Sequence, residues 1–357
     1  MRIVFDVTPL SHPRTGVGNY VLGSLSGLAE AAAGKHELVA WAPTSAAGAR
    51  LVADAIDGLP VERRIARLPF AHVWRTVWSR AGRPPAERFV GPFDALHFSD
   101  WMFPPQRSGV RSTMIHDLVP LRFPEWTTPR TRSMHGAKYR NAARTCDLVF
   151  VNSRYTGRET EELLGISADR IRVARPGVDP RFRPEGERAD LGRPYAVTVA
   201  TLEPRKNLET LLAAHRIDPH GLALAVVGGA GWGPQPDLGG DDVIPLGFVA
   251  NDELPRYYRG AEVLVVPSRF EGFGMTVVEG MACGLPCVVS SHPSLDEACG
   301  DAAVRVDPDD PEAIAAGIGE ALARRDELRT LGLEHARRFT WRACGAAMLE
   351  AFEETAA

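Results

Sequence analysis

Two glutamates with seven residues between them, Glu271 and Glu279, are the side chains of this sequence best suited to bind a polyhydroxylated ligand. Between them lie the residues that we expect to approach the ligand through their backbone: Gly272, Phe273, Gly274, Met275 and Thr276. The last of these open a helix, and the amides of a helix N-terminus bind phosphate. A carboxylate accepts two hydrogen bonds from a diol, so we expect Glu279 to hold a ribose and Glu271 the hydroxyls of a sugar. The alternative is that Glu271 caps the helix and Glu279 is a solvated helix position.

Two cations, Arg205 and Lys206, follow a strand predicted at residues 196–200. The planar fork of arginine and the compact charge of lysine can together neutralise a leaving diphosphate. A solvated loop pair is the alternative. Lys206 is one of only three lysines in the chain, which favours a function for it.

Further candidate residues follow two strands of the N-terminal half. His116 ends a predicted strand at residues 112–116, where it can hydrogen-bond a sugar hydroxyl; the alternative is a structural histidine tied by Asp117. Gly16 and Gly18 follow the first strand and allow a ligand to approach the entrance of a helix. A full G-x-G-x-x-G dinucleotide motif does not occur there.

Apolar runs that alternate with amphipathic stretches predict an α/β protein with parallel sheets. Strands are predicted at residues 3–7, 37–41, 95–98, 112–116, 148–152, 196–200, 223–227, 243–245, 263–267, 287–290 and 303–306. Helices are predicted at residues 18–32, 129–143, 154–164, 208–214, 253–258, 275–282, 311–323 and 341–352. Ligands of open α/β sheets bind beyond the carboxyl ends of the strands, where the candidate residues lie.

Two domains are expected in 357 residues, at roughly 150 residues per domain. Residues 175–193, rich in proline, glycine and charge, indicate a linker, and we expect domains at residues 1–187 and 188–357. The first has 26 lysines and arginines against 19 acidic residues, a net +7, and the second has 15 against 26, a net −11. This asymmetry indicates an anionic partner for the first domain.

Composition narrows the class of protein further. Five cysteines without a matching set of ligands favour neither a disulfide framework nor a zinc site. The first residues lack the apolar region of a signal peptide, and no run approaches the roughly 18 apolar residues of a membrane span, so we expect a cytoplasmic protein.

The segment of residues 62–83 combines six arginines and one glutamate with Phe70, Trp74, Val77 and Trp78 at the spacing of one helical face. A basic amphipathic helix with tryptophan can lie on an anionic membrane at the inner face of the cell. The alternative is a helix that packs its aromatic face on the N-terminal core and exposes its arginines.

The segment of residues 268–286 resembles the E-x7-E signature of the retaining GT-B glycosyltransferases, the large GT4-like family. Other motifs similar to that family follow in its order, at residues 5–18, 115–120, 151–153, 176–179, 201–207, 227–233, 246–249 and 296–301. The His-Asp-Leu-Val-Pro and Leu-Glu-Pro-Arg-Lys-Asn strings resemble the mannosyltransferase branch that builds polysaccharide or O-antigen chains.

The resemblance implies a GT-B fold, in which two Rossmann-like, doubly wound parallel-sheet domains face a deep interdomain cleft. It also implies that the first domain binds the acceptor and the second the nucleotide sugar, and that the last helix, at about residues 341–354, packs back on the N-terminal domain. Many relatives place Gly-Arg directly after the strand where this chain has Ala200-Thr201, so Arg205 is expected to take over the phosphate.

The resemblance assigns roles to single residues as well. Phe248 and Val249 are expected to frame the base, and His116 to contact an outer hydroxyl of the donor sugar. No metal or other cofactor is expected, because cationic side chains and a helix dipole replace the metal in this family. Asp307-Pro-Asp309 matches a metal-binding string of a different transferase fold, but it precedes a helix and predicts a turn and an N-cap.

The function expected from the resemblance is transfer of a hexose from a nucleotide-diphosphate sugar with retention of configuration, and the expected donor is GDP-mannose, which supplies mannose. The acceptor is expected to be a hydroxyl of a glycan or a lipid-linked acceptor in cell-surface polysaccharide or glycoconjugate synthesis, with no nucleic-acid partner. Two alternatives remain open. One is a nucleotide-sugar epimerase on the same scaffold, and the other is a non-catalytic nucleotide-sugar-binding subunit of a polysaccharide assembly complex.

Overall fold

The chain forms two compact units, each built on one parallel sheet. The computed structural model describes residues 1–99, 101–233 and 235–357. Unit 1 consists of Met1–Arg122, Pro129–Gly177 and Thr340–Ala357, and unit 2 of Phe123–Thr128 and Val178–Phe339. Apart from the short segment Phe123–Thr128, the chain passes from unit 1 to unit 2 after Gly177. The boundary expected from the sequence was residue 187.

Unit 1 has a seven-stranded parallel sheet in the order β3-β2-β1-β4-β5-β6-β7. Its strands are β1 (Arg2–Asp6), β2 (Glu37–Thr44), β3 (Glu62–Arg67), β4 (Ala95–Phe98), β5 (Val110–Ile115), β6 (Leu148–Val151) and β7 (Ile171–Val173). Its first helices are α1 (Gly16–Ala32), α2 (Ala46–Ala55), α3 (Ala71–Ala81), α4 (Glu87–Val90), α5 (Val119–Arg122), α6 (Pro129–Thr145) and α7 (Arg154–Leu164). The central strands β4, β5 and β6 are buried along their whole length, as expected for a sheet covered on both faces.

Unit 2 has a six-stranded parallel sheet in the order β10-β9-β8-β11-β12-β13. Its strands are β8 (Tyr195–Val199), β9 (Ala223–Val227), β10 (Val243–Gly247), β11 (Val263–Val266), β12 (Cys287–Ser290) and β13 (Val304–Val306). Its helices are α8 (Leu208–Ile217), α9 (Leu254–Gly260), α10 (Met275–Ala282), α11 (Asp296–Cys299), α12 (Pro311–Ala323) and α13 (Arg325–Ala336). Short 3-10 turns occur at Thr8–Ser11, Pro124–Trp126, Ala168–Arg170, Pro204–Lys206 and Pro293–Leu295. Both sheets are doubly wound, so each has a ligand-binding edge at the carboxyl ends of its strands.

The last helix, α14 (Trp341–Ala356), packs against α1 of unit 1. Glycines permit this close crossing: a Cβ atom on Gly27 would lie 1.7 Å from the carbonyl oxygen of Trp341. A Cβ atom on Gly345 would lie 2.0 Å from the backbone of Gly27. The helix contributes Met348 and Phe352 to the core that α1 covers, so the two ends of the sequence complete one unit.

Residues 62–83 do not form the single helix that their spacing suggests. Residues 62–67 are the edge strand β3, paired in parallel with β2, and only residues 71–81 are helical. The charges of this strand suit a sheet edge, where one side meets water. In α3, Trp78 is buried against Trp41 with ring centroids 5.6 Å apart, whereas Phe70, at the N-cap, is 87% exposed.

The five cysteines are buried and free, and they pack as small apolar side chains. Within the described residues, no helix combines the length and the apolar character needed to cross a membrane.

Candidate active site

Glu271 lies in the turn between β11 and α10, at the carboxyl end of the second sheet, and Glu279 lies in α10 itself. Gly274 has a left-handed backbone with φ of 98°, and a Cβ atom there would lie 2.5 Å from Leu295 Cδ2, so only glycine fits. Gly274 is the N-cap of α10 and no side chain caps this helix among the described residues. Among the described residues, the amides of Met275 and Thr276 in the first turn therefore have no side-chain acceptor.

Glu271 is buried and accepts hydrogen bonds from both predicted cations. Arg205 Nη1 donates to Glu271 Oε2 at 2.8 Å, and Lys206 Nζ donates to Glu271 Oε1 at 2.6 Å. Its backbone amide donates to Ser294 Oγ at 3.0 Å, which fixes the residue from the far side. Burial by itself would raise the pKa of Glu271, but Lys206 and Arg205 outweigh it and lower the pKa to about 2. Glu271 is therefore ionised and paired.

The two cations lie on the 3-10 turn Pro204–Lys206 after β8. Arg205 is held between two carboxylates, because its Nη2 also lies 2.7 Å from Glu203 Oε1. The backbone carbonyl of Arg205 accepts a hydrogen bond from the amide of Arg269 at 2.8 Å, which joins this turn to the loop of Glu271. Burial and the neighbouring Arg205 lower the pKa of Lys206, against the effect of Glu271.

Glu279 lies in α10, half-buried, and has a different environment from Glu271. Tyr258 of α9 donates its hydroxyl to Glu279 Oε2 at 3.3 Å. Burial raises the pKa of Glu279 to about 8, and Asp179 adds to the increase while the Tyr258 hydrogen bond opposes it. Glu279 thus has a neutral partner and carries a proton over much of the neutral range.

The other predicted residues of unit 2 differ in how far they are exposed to a ligand. Phe248, just after β10, is 68% exposed, whereas Val249 packs partly against the core. The ring of Phe273 lies in that core, 5.4 Å from the ring of Phe339, so only the backbone of Phe273 can face a ligand. Gly272, beside it, is buried as well.

In unit 1, His116 follows β5 at the carboxyl edge of the first sheet. Its ring packs edge-on against Tyr20 at 5.0 Å, and its Nε2 is buried without a hydrogen-bond partner among the described residues. Burial, followed by Lys138 and His135, lowers the pKa of His116 to about 3, so the ring is neutral. The Asp117 carboxylate accepts from the amide of Val119, so it caps a turn.

Gly16 and Gly18 lie in the first turn of α1. A Cβ atom on Gly16 would have no neighbour within 4 Å, and one on Gly18 would make only ordinary contacts of 3.8 Å or more. The packing of the protein therefore does not require glycine at either position. Gly16 has open space beside it at the N-terminus of α1.

The Asp307-Pro-Asp309 string forms a turn. Asp307 Oδ1 accepts from the amide of Asp309 at 2.9 Å, and Asp309 pairs with Arg269 at 2.7 Å. The N-cap of α12 is Asp310, one residue after the string. No group of three or more metal-binding side chains occurs in the part of the chain that the structure describes.

Sequence reasoning missed three residues that hold the site together: Glu203, Tyr258 and Ser294. Glu203 lies two positions before Arg205, so the motif itself contained the signal. Tyr258 and Ser294 are distant in sequence from the glutamates they contact, and no local pattern identifies them. Unit 2 thus combines two cations, two carboxyls and a free helix N-terminus, a set that can bind phosphate and hydroxyl groups together.

The architecture and the sequence are similar to those of known proteins. The fold is that of the GT-B glycosyltransferases: the structure of HepE from Anabaena, in complex with UDP and glucose, matches with a TM-score of 0.70 at 17% identity, covering 99% of this chain and 100% of that one. Residues 14–182 match the family model for glycosyltransferase family 4, and residues 193–324 match the model for glycosyl transferases group 1.

Two curated relatives extend this result. The chain is 28% identical to O-antigen chain mannosyltransferase B of Escherichia coli, over 99% of this chain and 100% of the relative. It is 31% identical to D-inositol 3-phosphate glycosyltransferase of Saccharomonospora viridis, over 75% of this chain and 71% of the relative. The chain belongs to the group 1 glycosyltransferases, family 4, and is a transferase enzyme.

Proposed function

We propose that this enzyme transfers a hexosyl group from a nucleoside-diphosphate sugar to an acceptor hydroxyl with retention of configuration, and that unit 2 binds the donor. The observation that carries the proposal is the buried pairing of Glu271 with Arg205 and Lys206 beside the uncapped start of α10. Two cations and free amides suit a diphosphate, and two carboxyls suit sugar and ribose hydroxyls.

The free enzyme already holds the charges that the leaving group needs. Arg205 and Lys206 both pair with Glu271, and Arg205 pairs with Glu203 as well, so a bound diphosphate would compete with Glu271 for both cations. Glu271 would then be released to accept hydrogen bonds from the sugar, while the cations stabilise the charge that develops on the departing phosphate. In this proposal the leaving phosphate takes the proton of the acceptor hydroxyl on the same face of the sugar. No metal is required, since the cations and the helix N-terminus supply the positive charge.

Glu279, Phe248 and Val249 are proposed to hold the nucleoside. Half-buried and hydrogen-bonded by Tyr258, Glu279 would accept hydrogen bonds from the ribose diol, and Phe248 and Val249 would frame the base. In unit 1, the neutral His116 would contact an outer hydroxyl of the donor sugar through its buried Nε2, and Gly16 and Gly18 would leave room for substrate.

Mannose from GDP-mannose is the donor we favour, and a hydroxyl of a glycan or lipid-linked acceptor in cell-surface polysaccharide synthesis is the acceptor. The support is the full-length similarity to an O-antigen chain mannosyltransferase. HepE, with UDP and glucose, is the reason to test uridine donors beside guanosine donors.

Thermal-shift measurements with GDP-, UDP-, ADP- and TDP-sugars test donor binding. A donor at 100 times its Kd adds about 2.7 kcal/mol of stability, so one nucleotide should stand out. Lys206→Ala and Glu279→Ala should abolish the shift, whereas Lys35→Ala and Glu334→Ala, which change exposed residues of the same types, should retain it. An unchanged shift in Lys206→Ala would overturn the assigned phosphate site.

Incubation of the stabilising donor with lipid-linked and glycan acceptors then tests the reaction. Transfer with retained anomeric configuration supports the proposal. An epimerised donor without acceptor would identify an epimerase, and binding without turnover would identify a non-catalytic subunit.

We further propose that α3 contacts an anionic membrane. Phe70, Val73 and Val77 are 87%, 60% and 59% exposed, and arginines such as Arg67 and Arg80 flank them. Apolar side chains beside exposed cations match a surface of anionic lipid headgroups. The protein should sediment with vesicles of phosphatidylglycerol but not with vesicles of phosphatidylcholine.

Phe70→Ser combined with Val73→Ser should reduce vesicle binding, and Leu331→Ser, which removes an exposed apolar residue of α13 in unit 2, should not. Equal binding by all three proteins would contradict the membrane contact.

A further inference from the structure

The face of unit 1 at the carboxyl ends of its strands carries a cluster of cationic and aromatic side chains that the proposed donor site does not use. We name it the His72 cluster; its members are His72, Arg75, Trp101 and Arg130. They come from three separate segments, namely α3, the loop after β4 and the start of α6. Each segment follows a strand of the first sheet, so the cluster lies where open α/β sheets bind ligands.

Direct contacts hold the cluster together. Arg130 Nη2 lies 2.9 Å from His72 Nε2, and the rings of His72 and Trp101 have centroids 4.8 Å apart. The guanidinium of Arg75 lies over the ring of Trp101, with Cζ 5.1 Å from the ring centroid. Trp101 therefore contacts a histidine and an arginine, and His72 contacts a second arginine.

The protonation of His72 follows from these contacts. Arginine donates and cannot accept, so His72 Nε2 is the acceptor and its Nδ1 carries the proton. Burial, and then Arg130, Arg75 and His12, lower the pKa of His72, which agrees with a neutral ring among positive charges. The cluster thus presents a ring N–H and guanidinium N–H groups as donors.

Among the described residues, the two arginines of the cluster have different electrostatic surroundings. Arg75, buried, faces the buried Asp6, whose pKa is raised by burial and lowered in part by Arg75. Arg130 is exposed, and no carboxylate among the described residues lies within ion-pair distance of it. An anion could therefore bridge Arg130 and the N–H of His72 without displacing a described carboxylate from Arg130, and phosphate matches the arginine fork.

We infer that the His72 cluster binds a phosphate group carried by the acceptor, so that the acceptor class is a phosphorylated one. This inference rests on the proposed function, because it assigns acceptor recognition to unit 1. A phosphorylated acceptor also suits the excess of basic residues in the first half of the chain, 26 against 19 acidic over residues 1–187.

Calorimetric titration of the full-length protein tests the inference with three probes: octyl phosphate, inorganic phosphate and octyl glucoside below its micelle concentration. Octyl phosphate should bind at least about tenfold more weakly to Arg130→Gln than to the unmodified protein, because hydrogen bonds to charged groups are lost. Arg144→Gln is the matched control, since Arg144 is an exposed arginine at the opposite end of α6, and it should bind within twofold of the unmodified protein.

The probes also distinguish the source of the phosphate. Octyl phosphate bound more tightly than inorganic phosphate indicates a lipid-linked acceptor, and equal binding indicates recognition of the phosphate alone; both support the inference. Equal affinities in Arg130→Gln and Arg144→Gln would overturn it, as would octyl glucoside binding as tightly as octyl phosphate. Donor binding by thermal shift is measured on the same variants and should stay unchanged, so a failure of the donor assignment would be seen separately.

Discussion

At the scale of single residues, the two glutamates of the signature have opposite electrostatic environments. Lys206 and Arg205 overcome burial at Glu271 and hold its pKa at about 2, whereas Glu279 has a tyrosine hydroxyl and burial raises its pKa to about 8. The sequence assigned both residues to ligand hydroxyls but contained no information on their protonation, because the cations and the tyrosine approach from other segments.

Replacement of Glu271 by glutamine should destabilise the protein at neutral pH by about 3 kcal/mol, because Lys206 loses its counter-charge and Arg205 keeps only Glu203. Urea unfolding at pH 7 measures this. Asp309→Asn, which breaks the more exposed pair with Arg269, serves as the comparison and should cost less than about 1 kcal/mol. Equal losses of unfolding free energy in the two variants would show that the Glu271 pairing stabilises the protein no more than an exposed ion pair does. The pKa of Glu271 is lowered on folding, so its contribution is present above the ordinary glutamate pKa and is lost as pH falls towards about 2.

Glu279 should have the opposite effect on the pH dependence of stability. Its pKa is raised on folding from 4.5 to about 8, so the native state binds more protons than the unfolded state between these values and stability falls as pH rises through them. Glu279→Gln should therefore flatten the pH profile of unfolding over this range. Glu334→Gln, at an exposed position of α13, should leave the profile unchanged, and an equally steep profile in Glu279→Gln would contradict the raised pKa.

At the scale of elements, Gly274 sets the direction in which α10 leaves its strand. Gly274→Ala should destabilise the protein by about 1–3 kcal/mol, because the left-handed backbone is strained and the new Cβ meets Leu295. Thermal unfolding measures the loss, and donor binding should weaken with it. Gly157→Ala in α7 is the control: its Cβ would make ordinary contacts of 3.5 Å, so no loss is expected there.

The helix pattern alone was a poor guide in residues 62–83. Arginines and aromatic residues at helical spacing suggested one helix, but β3 takes the first part because its backbone pairs with β2. Of the predicted face, Trp78 packs inward while Phe70 and Val77 are exposed. Periodicity could not decide this, because strand pairing is a contact between distant segments.

At the scale of the whole molecule, residues from both ends of the sequence form the core of unit 1. Deletion of residues 340–357 should expose the core residues of unit 1 against which Met348 and Phe352 pack and make unit 1 sensitive to proteolysis. Limited proteolysis with mass spectrometry should find the first cuts within unit 1. Removal of only residues 355–357, which are exposed, should change nothing, and resistance of the longer deletion would show that α14 is dispensable.

The sequence by itself determined the parallel α/β class, most strands and helices, and the local segments that carry the glutamates and the cations. These properties depend on side-chain periodicity and on turn residues such as Gly274, which act over a few positions. Tertiary structure alone decided that Tyr258 meets Glu279, that Ser294 and Arg205 hold Glu271, and that His72, Trp101 and Arg130 form one cluster. Those contacts join segments separated by many residues, and only the winding of the two sheets brings them together.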